Sequence, residues 1–213
     1  GGCMITIRRN RFNRVNICLE HTEGLPAQAM VEKKLCADSL RVSPAELADS
    51  PVMEGDALVV CRAGSVAAAA VSRYLGTRFS GIKPNGYRIE LAEAKGRSVL
   101  VVAGGDLFGM LAGLADVLSC SELTRRGLVY RGGERTENPA FPLRFYWTWD
   151  HSTNWVLDDE GNQVNGCANQ YLKKPETYVE DYRRLVDSCL EMRFNAVIIW
   201  GFLRDAHGGE RYA

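Results

Sequence analysis

Short apolar runs that alternate with helical segments are the feature that most restricts the fold of this chain. Residues 26–37 and 65–75 have helical character, with Pro26 in the first turn of one segment and Gly76 after the last residue of the other. The apolar runs around them are too short for typical helices and predict strands. Those runs are Val15 to Leu19, Ala57 to Cys61 and Ser98 to Ala103. The alternation predicts an α/β domain.

The middle of this domain carries the turn signals of a β-hairpin. Asn85-Gly86 precedes the alternating segment 87–91, and Lys95-Gly96 precedes the strand at 98–103. We therefore expect two antiparallel strands, followed by a helix over 106–118. Because strands of both directions occur, residues 1–130 are predicted to form a small, sandwich-like α/β domain with a mixed sheet.

Glycines after the strand at 98–103 raise the question of nucleotide binding. Gly104, Gly105, Gly109 and Gly113 do not fit the G-x-G-x-x-G pattern, and no acidic residue follows a second strand at the required distance. Gly109 and Gly113 lie four residues apart, on one face of the predicted helix. Close helix–sheet packing is the preferred interpretation, and a nucleotide-binding enzyme would need a phosphate pocket at Gly104-Gly105.

Composition excludes several classes of protein and partner. The 213 residues carry 26 basic and 26 acidic side chains, and 46% of them are hydrophobic. No apolar run approaches the roughly 20 residues of a membrane span. The net charge of zero gives no general attraction to nucleic acid or anionic membranes. A local cluster of Arg8, Arg9, Arg11 and Arg14 is interpreted as a solvated face or a charge-guarded edge strand.

The cysteines and histidines predict neither a metal site nor a cofactor. The seven Cys have no Cys-x-x-Cys spacing, and the three His are scattered. Cys18, Cys61 and Cys189 lie within apolar runs, where a reduced thiol behaves as a small hydrophobic group. Buried free thiols favour a reducing, cytoplasmic compartment, and no signal peptide is apparent in this sequence.

The last third of the sequence differs from the rest in composition and pattern. Residues 131–142, rich in Gly, Pro and charge, are predicted to be an extended linker, and residues 143–213 follow as a second domain. That domain begins with an aromatic strand at 143–150 and a long polar loop. A helix at 176–192 and an apolar strand at 194–200 come next. This pattern predicts one βαβ unit with its long loop at the carboxyl end of the first strand.

Two segments carry a resemblance to a known family. The segment Val101-Val-Ala-Gly-Gly-Asp-Leu-Phe-Gly-Met-Leu-Ala-Gly, with the linker Arg135-Thr-Glu-Asn-Pro-Ala-Phe-Pro, resembles the α/β domain that precedes the barrel in glycoside hydrolases of families 20, 67 and 84. Arg144 with Trp149-Asp150, and Arg193-Phe-Asn195, are similar to the first strands of the family 67 α-glucuronidases. The resemblance implies that residues 143–213 begin a (β/α)8 barrel that hydrolyses an O-glycosidic bond.

The residues after the first barrel strand depart from the α-glucuronidase pattern. His151 stands in place of its Asn, and Ser-Thr-Asn-Trp155 replaces its Gly-, Glu- and Arg-containing stretch. Aromatic rings with Asp, Asn and His side chains suit a sugar, since rings stack on C–H groups while polar groups bond hydroxyls. The residues predicted to bind a carbohydrate substrate are Trp149, Asp150, His151, Asn154, Asp205 and His207. The catalytic carboxylates of the resembling families lie on later strands, so catalytic residues cannot be assigned here.

A barrel needs about 250 residues, so the second domain holds roughly a quarter of one. We expect the chain to be an amino-terminal fragment of a glycoside hydrolase, inactive by itself. A non-catalytic α/β binding or interaction module is the alternative, which requires the apolar strand at 194–200 to be covered in a closed core. The sequence does not predict the oligomeric state.

Overall fold

The computed structural model describes residues 4–20, 26–44, 55–147, 156–157, 163–164 and 175–198. The chain divides into two compact units, residues 1–142 and residues 143–213. The described elements of the first unit, in chain order, are β1 (Ile5–Arg8), β2 (Val15–Leu19), α1 (Pro26–Lys34), β3 (Leu40–Pro44), β4 (Ala57–Arg62), α2 (Val66–Leu75), β5 (Tyr87–Ala94), β6 (Arg97–Gly104), α3 (Leu107–Ser119), β7 (Ser121–Leu123), β8 (Gly127–Tyr130) and β9 (Arg135–Glu137).

A six-stranded mixed sheet forms the centre of the first unit, in the order β3-β2-β4-β6-β5-β9. Strands β3, β2, β4 and β6 run parallel to one another, and β5 pairs antiparallel with both β6 and β9. The predicted α/β class, mixed sheet and hairpin are therefore confirmed. The hairpin turn places Lys95 at φ 53° and Gly96 at φ 75°, as a tight turn between twisted antiparallel strands requires.

Helices cover both faces of this sheet. Val59 and Val101 point to one face, where they pack with Ala67 and Val71 of α2 in a fully buried cluster. The alternate residue Val102 points to the opposite face, against α3 at Gly113. Burial on both sides explains why these strands read as continuous apolar runs.

Local capping signals set the bounds of two helices. The Ser65 hydroxyl accepts a hydrogen bond from the Ala68 N–H, and Gly76 ends α2 in the left-handed conformation at φ 70°. Asp106 accepts a hydrogen bond from the Gly109 N–H at the start of α3. These bounds confirm the helices predicted at 65–75 and 106–118 to within one residue.

The first unit differs from the sequence-based expectation at several points, and strand β3 is one element that was not predicted. Helix α1 ends at Lys34 instead of residue 37, because Cys36 adopts an extended backbone before a 3-10 turn at Ala37–Ser39. A second sheet, β1-β8-β7, was not predicted. Strand β9 lies within the segment predicted as a linker and pairs with β5. The two prolines signal its extended backbone but not its long-range partner.

The second unit contains one parallel strand pair and a helix among its described residues. Its elements are β10 (Phe145–Trp147), β11 (Val156–Leu157), β12 (Gln163–Val164), α4 (Pro175–Glu191) and β13 (Ala196–Ile198). Strands β10 and β13 pair in parallel with α4 between them in sequence, which is the predicted βαβ connection. Strands β11 and β12 form a short antiparallel ladder inside the segment predicted as a loop.

Candidate functional site

The carboxyl ends of β10 and β13 define the candidate site. Phe145 pairs with Ala196 and Trp147 with Ile198, so the two strands end at the same edge. The segments that carry all the predicted sugar-binding residues come after these ends. Trp149, Asp150, His151, Asn154, Asp205 and His207 lie outside the described residues, and their assignment stays a prediction.

The opposite end of this strand pair is held by a hydrogen-bond network that sequence reasoning missed. The Arg144 N–H donates to Oδ1 of Asn195 at 2.8 Å, and the Asn195 N–H donates to the Arg144 carbonyl at 2.8 Å. Nε of Arg144 also donates to the Arg193 carbonyl at 2.8 Å. Because Arg193 has φ 67°, the turn after α4 directs Asn195 at Arg144. The network fixes the register that brings the two carboxyl ends together.

Packing under the strand pair supports the same register. The rings of Tyr146 and Phe194 meet edge to face, with centroids 6.0 Å apart. Cys189 of α4 is buried, and burial raises the pKa of its thiol. The predicted apolar role of Cys189 is therefore confirmed.

The Gly104-Gly105 segment is packed against protein and does not form a phosphate cradle. The Gly105 N–H donates to the Gly86 carbonyl at 2.9 Å, and a Cβ at Gly105 or Gly109 would overlap backbone atoms of the loop at 83–86. Asp106 already places a carboxylate at the start of α3, where it accepts hydrogen bonds from Gly109 and Asn85. The packing interpretation of these glycines is confirmed, and the structure gives the nucleotide-binding hypothesis no support.

Two buried carboxylates of the first unit are each held by an arginine. Asp56 accepts hydrogen bonds from the Arg8 side chain at 2.6 and 2.8 Å and from the Ser98 N–H at 3.0 Å. Burial raises the pKa of Asp56, but the hydrogen bonds from Arg8 and Ser98 outweigh it and leave the pKa below its usual value. Glu20 is similarly bound by Arg62, through its N–H at 2.7 Å and its Nε at 2.9 Å.

A third carboxylate, Asp116, joins helix α3 to strands β5 and β9. Its Oδ2 accepts the Tyr87 hydroxyl at 2.6 Å, and its Oδ1 pairs with the Arg135 guanidinium. Nearby, the Tyr130 hydroxyl donates to the Gly133 carbonyl at 2.9 Å, and burial raises the pKa of Tyr130 to about 12. The neutral phenol and the paired carboxylate are typical of a structural cluster.

The structure describes five cysteines, which differ in their burial. Cys18, Cys61 and Cys189 are buried, Cys36 is exposed and Cys120 is partly exposed. Burial, with a smaller contribution from the charge of Glu20, raises the pKa of Cys61 to about 12. In the described ranges, no group of three or more His, Cys, Asp or Glu side chains could hold a metal ion. None of the described helices is both long and apolar enough to cross a membrane.

Comparison with solved structures finds a similar fold in two larger proteins. A β-N-acetylhexosaminidase from Bacteroides fragilis matches with a TM-score of 0.51 and 14% identity, over 92% of this chain and 31% of that chain. CpGH84B matches with a TM-score of 0.50 and 13% identity, over 96% of this chain and 36% of that chain. These likenesses show a shared fold.

The chain spans about a third of the length of these two solved structures. No family model matches the sequence, and no curated protein does. The resemblance to families 20 and 84 is supported at the level of fold, while the resemblance to family 67 and the barrel itself stay predictions.

Proposed function

We propose that this chain is the amino-terminal part of a glycoside hydrolase, comprising an α/β domain and the first βαβ unit of a (β/α)8 barrel. The parallel pair β10 and β13, joined through α4, is the observation that carries the proposal. Barrel enzymes place their active sites at the carboxyl ends of the strands. The segments after β10 and β13 begin at that edge, and they hold the predicted sugar-binding residues.

Exposed apolar side chains in the second unit support an incomplete barrel. Leu143, Phe145, Val186, Met192 and Ile198 are between 38% and 62% exposed. The larger first unit also exposes five bulky apolar side chains among its described residues, so the second unit leaves a greater share of its apolar surface uncovered than an intact domain does. In a barrel, further strands and helices would cover this surface. This observation favours the hydrolase fragment over the non-catalytic interaction module.

The proposed substrate is a carbohydrate with an O-glycosidic bond. The hydrolysis requires two carboxylates flanking the scissile bond. In the first unit, the buried carboxylates Glu20, Asp56, Glu90 and Asp116 each pair with an arginine, so none is available for this role. We also propose a specificity similar to that of the α-glucuronidases. The residues to which we assign substrate contacts are Trp149, Asp150, His151, Asn154, Asp205 and His207.

Aryl glycosides test the activity. The 213-residue chain and a polypeptide extended to a full barrel would each be assayed with aryl N-acetylhexosaminide and aryl glucuronide. We expect turnover by the extended polypeptide alone, because roughly a quarter of a barrel does not supply both carboxylates. Turnover by the 213-residue chain would contradict the assignment, and so would an extended polypeptide that hydrolyses no glycoside.

Asp150→Asn in the extended polypeptide tests the site. We expect the affinity for the sugar to fall by roughly tenfold, since one charge-assisted hydrogen bond to a hydroxyl is lost. Asp187→Asn, which changes an exposed carboxylate on α4, is the matched control. If Asp150→Asn leaves both affinity and rate unchanged, Asp150 does not contact the substrate.

A further inference from the structure

Two neighbouring turns of the first unit bring five arginines onto one surface. One turn is the loop at 9–14 between β1 and β2, and the other is the turn at 124–127 between β7 and β8. We call this surface the arginine patch. Its members are Arg9, Arg11, Arg14, Arg125 and Arg126, of which all but Arg9 are classed as exposed. The sequence reveals only the first three, because the other two lie more than 100 residues away.

Hydrogen bonds hold the two turns together. The Arg9 N–H donates to the Arg126 carbonyl at 3.1 Å. The guanidinium of Arg9 donates from Nη2 to the Thr124 carbonyl at 3.0 Å and from Nη1 to the Asn13 carbonyl at 2.8 Å. These contacts fix the positions of the two turns relative to each other.

The longer turn is also braced from within. The Asn10 side-chain carbonyl accepts hydrogen bonds from the N–H groups of Phe12 at 2.9 Å and Arg14 at 3.1 Å. The Asn10 N–H donates to the Arg14 carbonyl at 2.8 Å. The backbone that carries Arg11 and Arg14 is therefore preorganised, which lowers the entropic cost of binding a ligand.

No described carboxylate neutralises the arginine patch. The ion pairs in the described part of the chain use other arginines, such as Arg8 with Asp56 and Arg131 with Glu122. Five positive charges are thus concentrated on one surface of a protein whose net charge is zero. The charged side chains of the patch are all arginines, which bind sulfate and carboxylate groups through two parallel hydrogen bonds.

One aromatic ring lies within the arginine patch. Phe12 is 59% exposed, and the Arg11 guanidinium lies 4.7 Å from its ring centroid. The stacked cation covers one face of the ring. The rest of the ring surface is an apolar platform between charged groups, which matches the C–H face of a sugar ring.

We propose that the arginine patch binds an anionic polysaccharide, whose sulfate or carboxylate groups pair with the guanidinium groups while a sugar ring packs on Phe12. The inference rests on the proposed function, and it names an anionic glycan as the polymer that the hydrolase engages. A membrane would need more apolar area than one ring supplies for anchoring. A single nucleic acid strand would need several stacking platforms along its path, whereas the patch offers Phe12 alone.

Heparin oligosaccharide, polygalacturonate and neutral dextran are the probes, titrated into the 213-residue chain at several salt concentrations. We expect both acidic glycans to bind and dextran not to bind. Arg11→Gln/Arg14→Gln and Arg125→Gln/Arg126→Gln should each weaken binding by roughly tenfold. Each pair should also lower the slope of log affinity against log salt by about two, one for each lost arginine.

Arg73→Gln/Arg78→Gln is the matched control, since it removes two exposed arginines elsewhere on the first unit. Equal losses in the control and the patch variants would overturn the proposal. Tighter binding to phosphatidylserine vesicles or to single-stranded DNA than to either glycan would also overturn it. Thermal unfolding of each variant verifies that the fold persists. Binding is measured without turnover. If the hydrolase assay fails while the glycan still binds, the catalytic proposal is rejected and the proposal that the arginine patch binds a glycan stands.

Discussion

Gly109→Ala tests whether the glycines of α3 serve packing. The first turn of α3 lies directly on the loop at 83–86, and a Cβ at position 109 would overlap the Gly86 carbonyl oxygen and lie 3.0 Å from its carbonyl carbon. The obstacle is backbone, so no rotamer change can relieve it. Either the helix or the loop must move.

The expected loss of stability follows from three contributions. Alanine improves helix propensity by about 1 kcal/mol, while overpacking costs about 2 kcal/mol. Displacement of the loop also weakens the hydrogen bonds of Gly105 to Gly86, at 2.9 Å, and of Asn85 to Asp106, at 2.8 Å. That contributes about 1 kcal/mol in total. The net expectation is that the free energy of unfolding falls by about 2 kcal/mol.

Urea unfolding followed by far-ultraviolet circular dichroism measures this change. All four tryptophans lie beyond residue 142, so their fluorescence reports the second unit and serves as an internal reference. Ala69→Gly, at an exposed position of α2, is the matched control and should cost about 1 kcal/mol from propensity alone. If Gly109→Ala were as stable as the parent or more stable, the close approach of α3 to the loop would not be required.

Two further predictions concern titratable groups of the first unit. The pKa of Asp56 lies below its usual value in the folded protein, so its pairing with Arg8 stabilises the fold above about pH 4, and this contribution is lost as the pH falls through the folded pKa. Asp56→Asn should flatten the acid limb of a plot of unfolding free energy against pH, and an unchanged limb would contradict the pairing. Burial raises the pKa of Cys61 to about 12, so iodoacetamide at pH 8 should alkylate the exposed Cys36 and spare Cys61. Equal labelling in a peptide-resolved mass spectrum would refute the buried environment.

The elements that could be predicted from sequence are those with local signals. Ser65 and Asp106 cap their helices with side-chain oxygens, and Gly76 ends a helix in a conformation that suits glycine. Lys95-Gly96 forms the turn of the central hairpin. Each signal lies within a few residues of the boundary it sets, which is why the bounds agree closely.

The elements that could not be predicted depend on distant partners. Strand β1 pairs Ile5 with Tyr130, and β9 pairs Arg135 with Ile89. Strands of three or four residues have too little periodicity to stand out from a loop. Arg135 also binds Asp116 of α3, so a segment with the composition of a linker is fixed to the first unit.

The candidate site divides in the same way. The apolar runs and the helix between them predict where the two strands end. Trp149 and Asp150 come after one of these ends, and the segment with Asp205 comes after the other. The Arg144–Asn195 network at the other end needs atomic positions. In the sequence, Arg144 and Arg193-Phe-Asn195 stand out only through the family resemblance, which does not show that Arg144 and Asn195 bond to each other.

The distribution of charge separates structural and functional roles in this chain. In the described part of the first unit four carboxylates are buried. Glu90 pairs with Arg88 of its own strand, while Glu20, Asp56 and Asp116 each bind an arginine and connect elements distant in sequence. Removing the arginine would leave a buried carboxylate without its cation, so these pairs are suited to fixing the fold and poorly suited to proton transfer. The arginine patch lies on the surface instead, and no carboxylate in the described part of the chain forms an ion pair with it. The α/β domain therefore offers a surface for recognition, and the chemistry of a hydrolase would have to come from the loops that follow β10, β13 and further barrel strands.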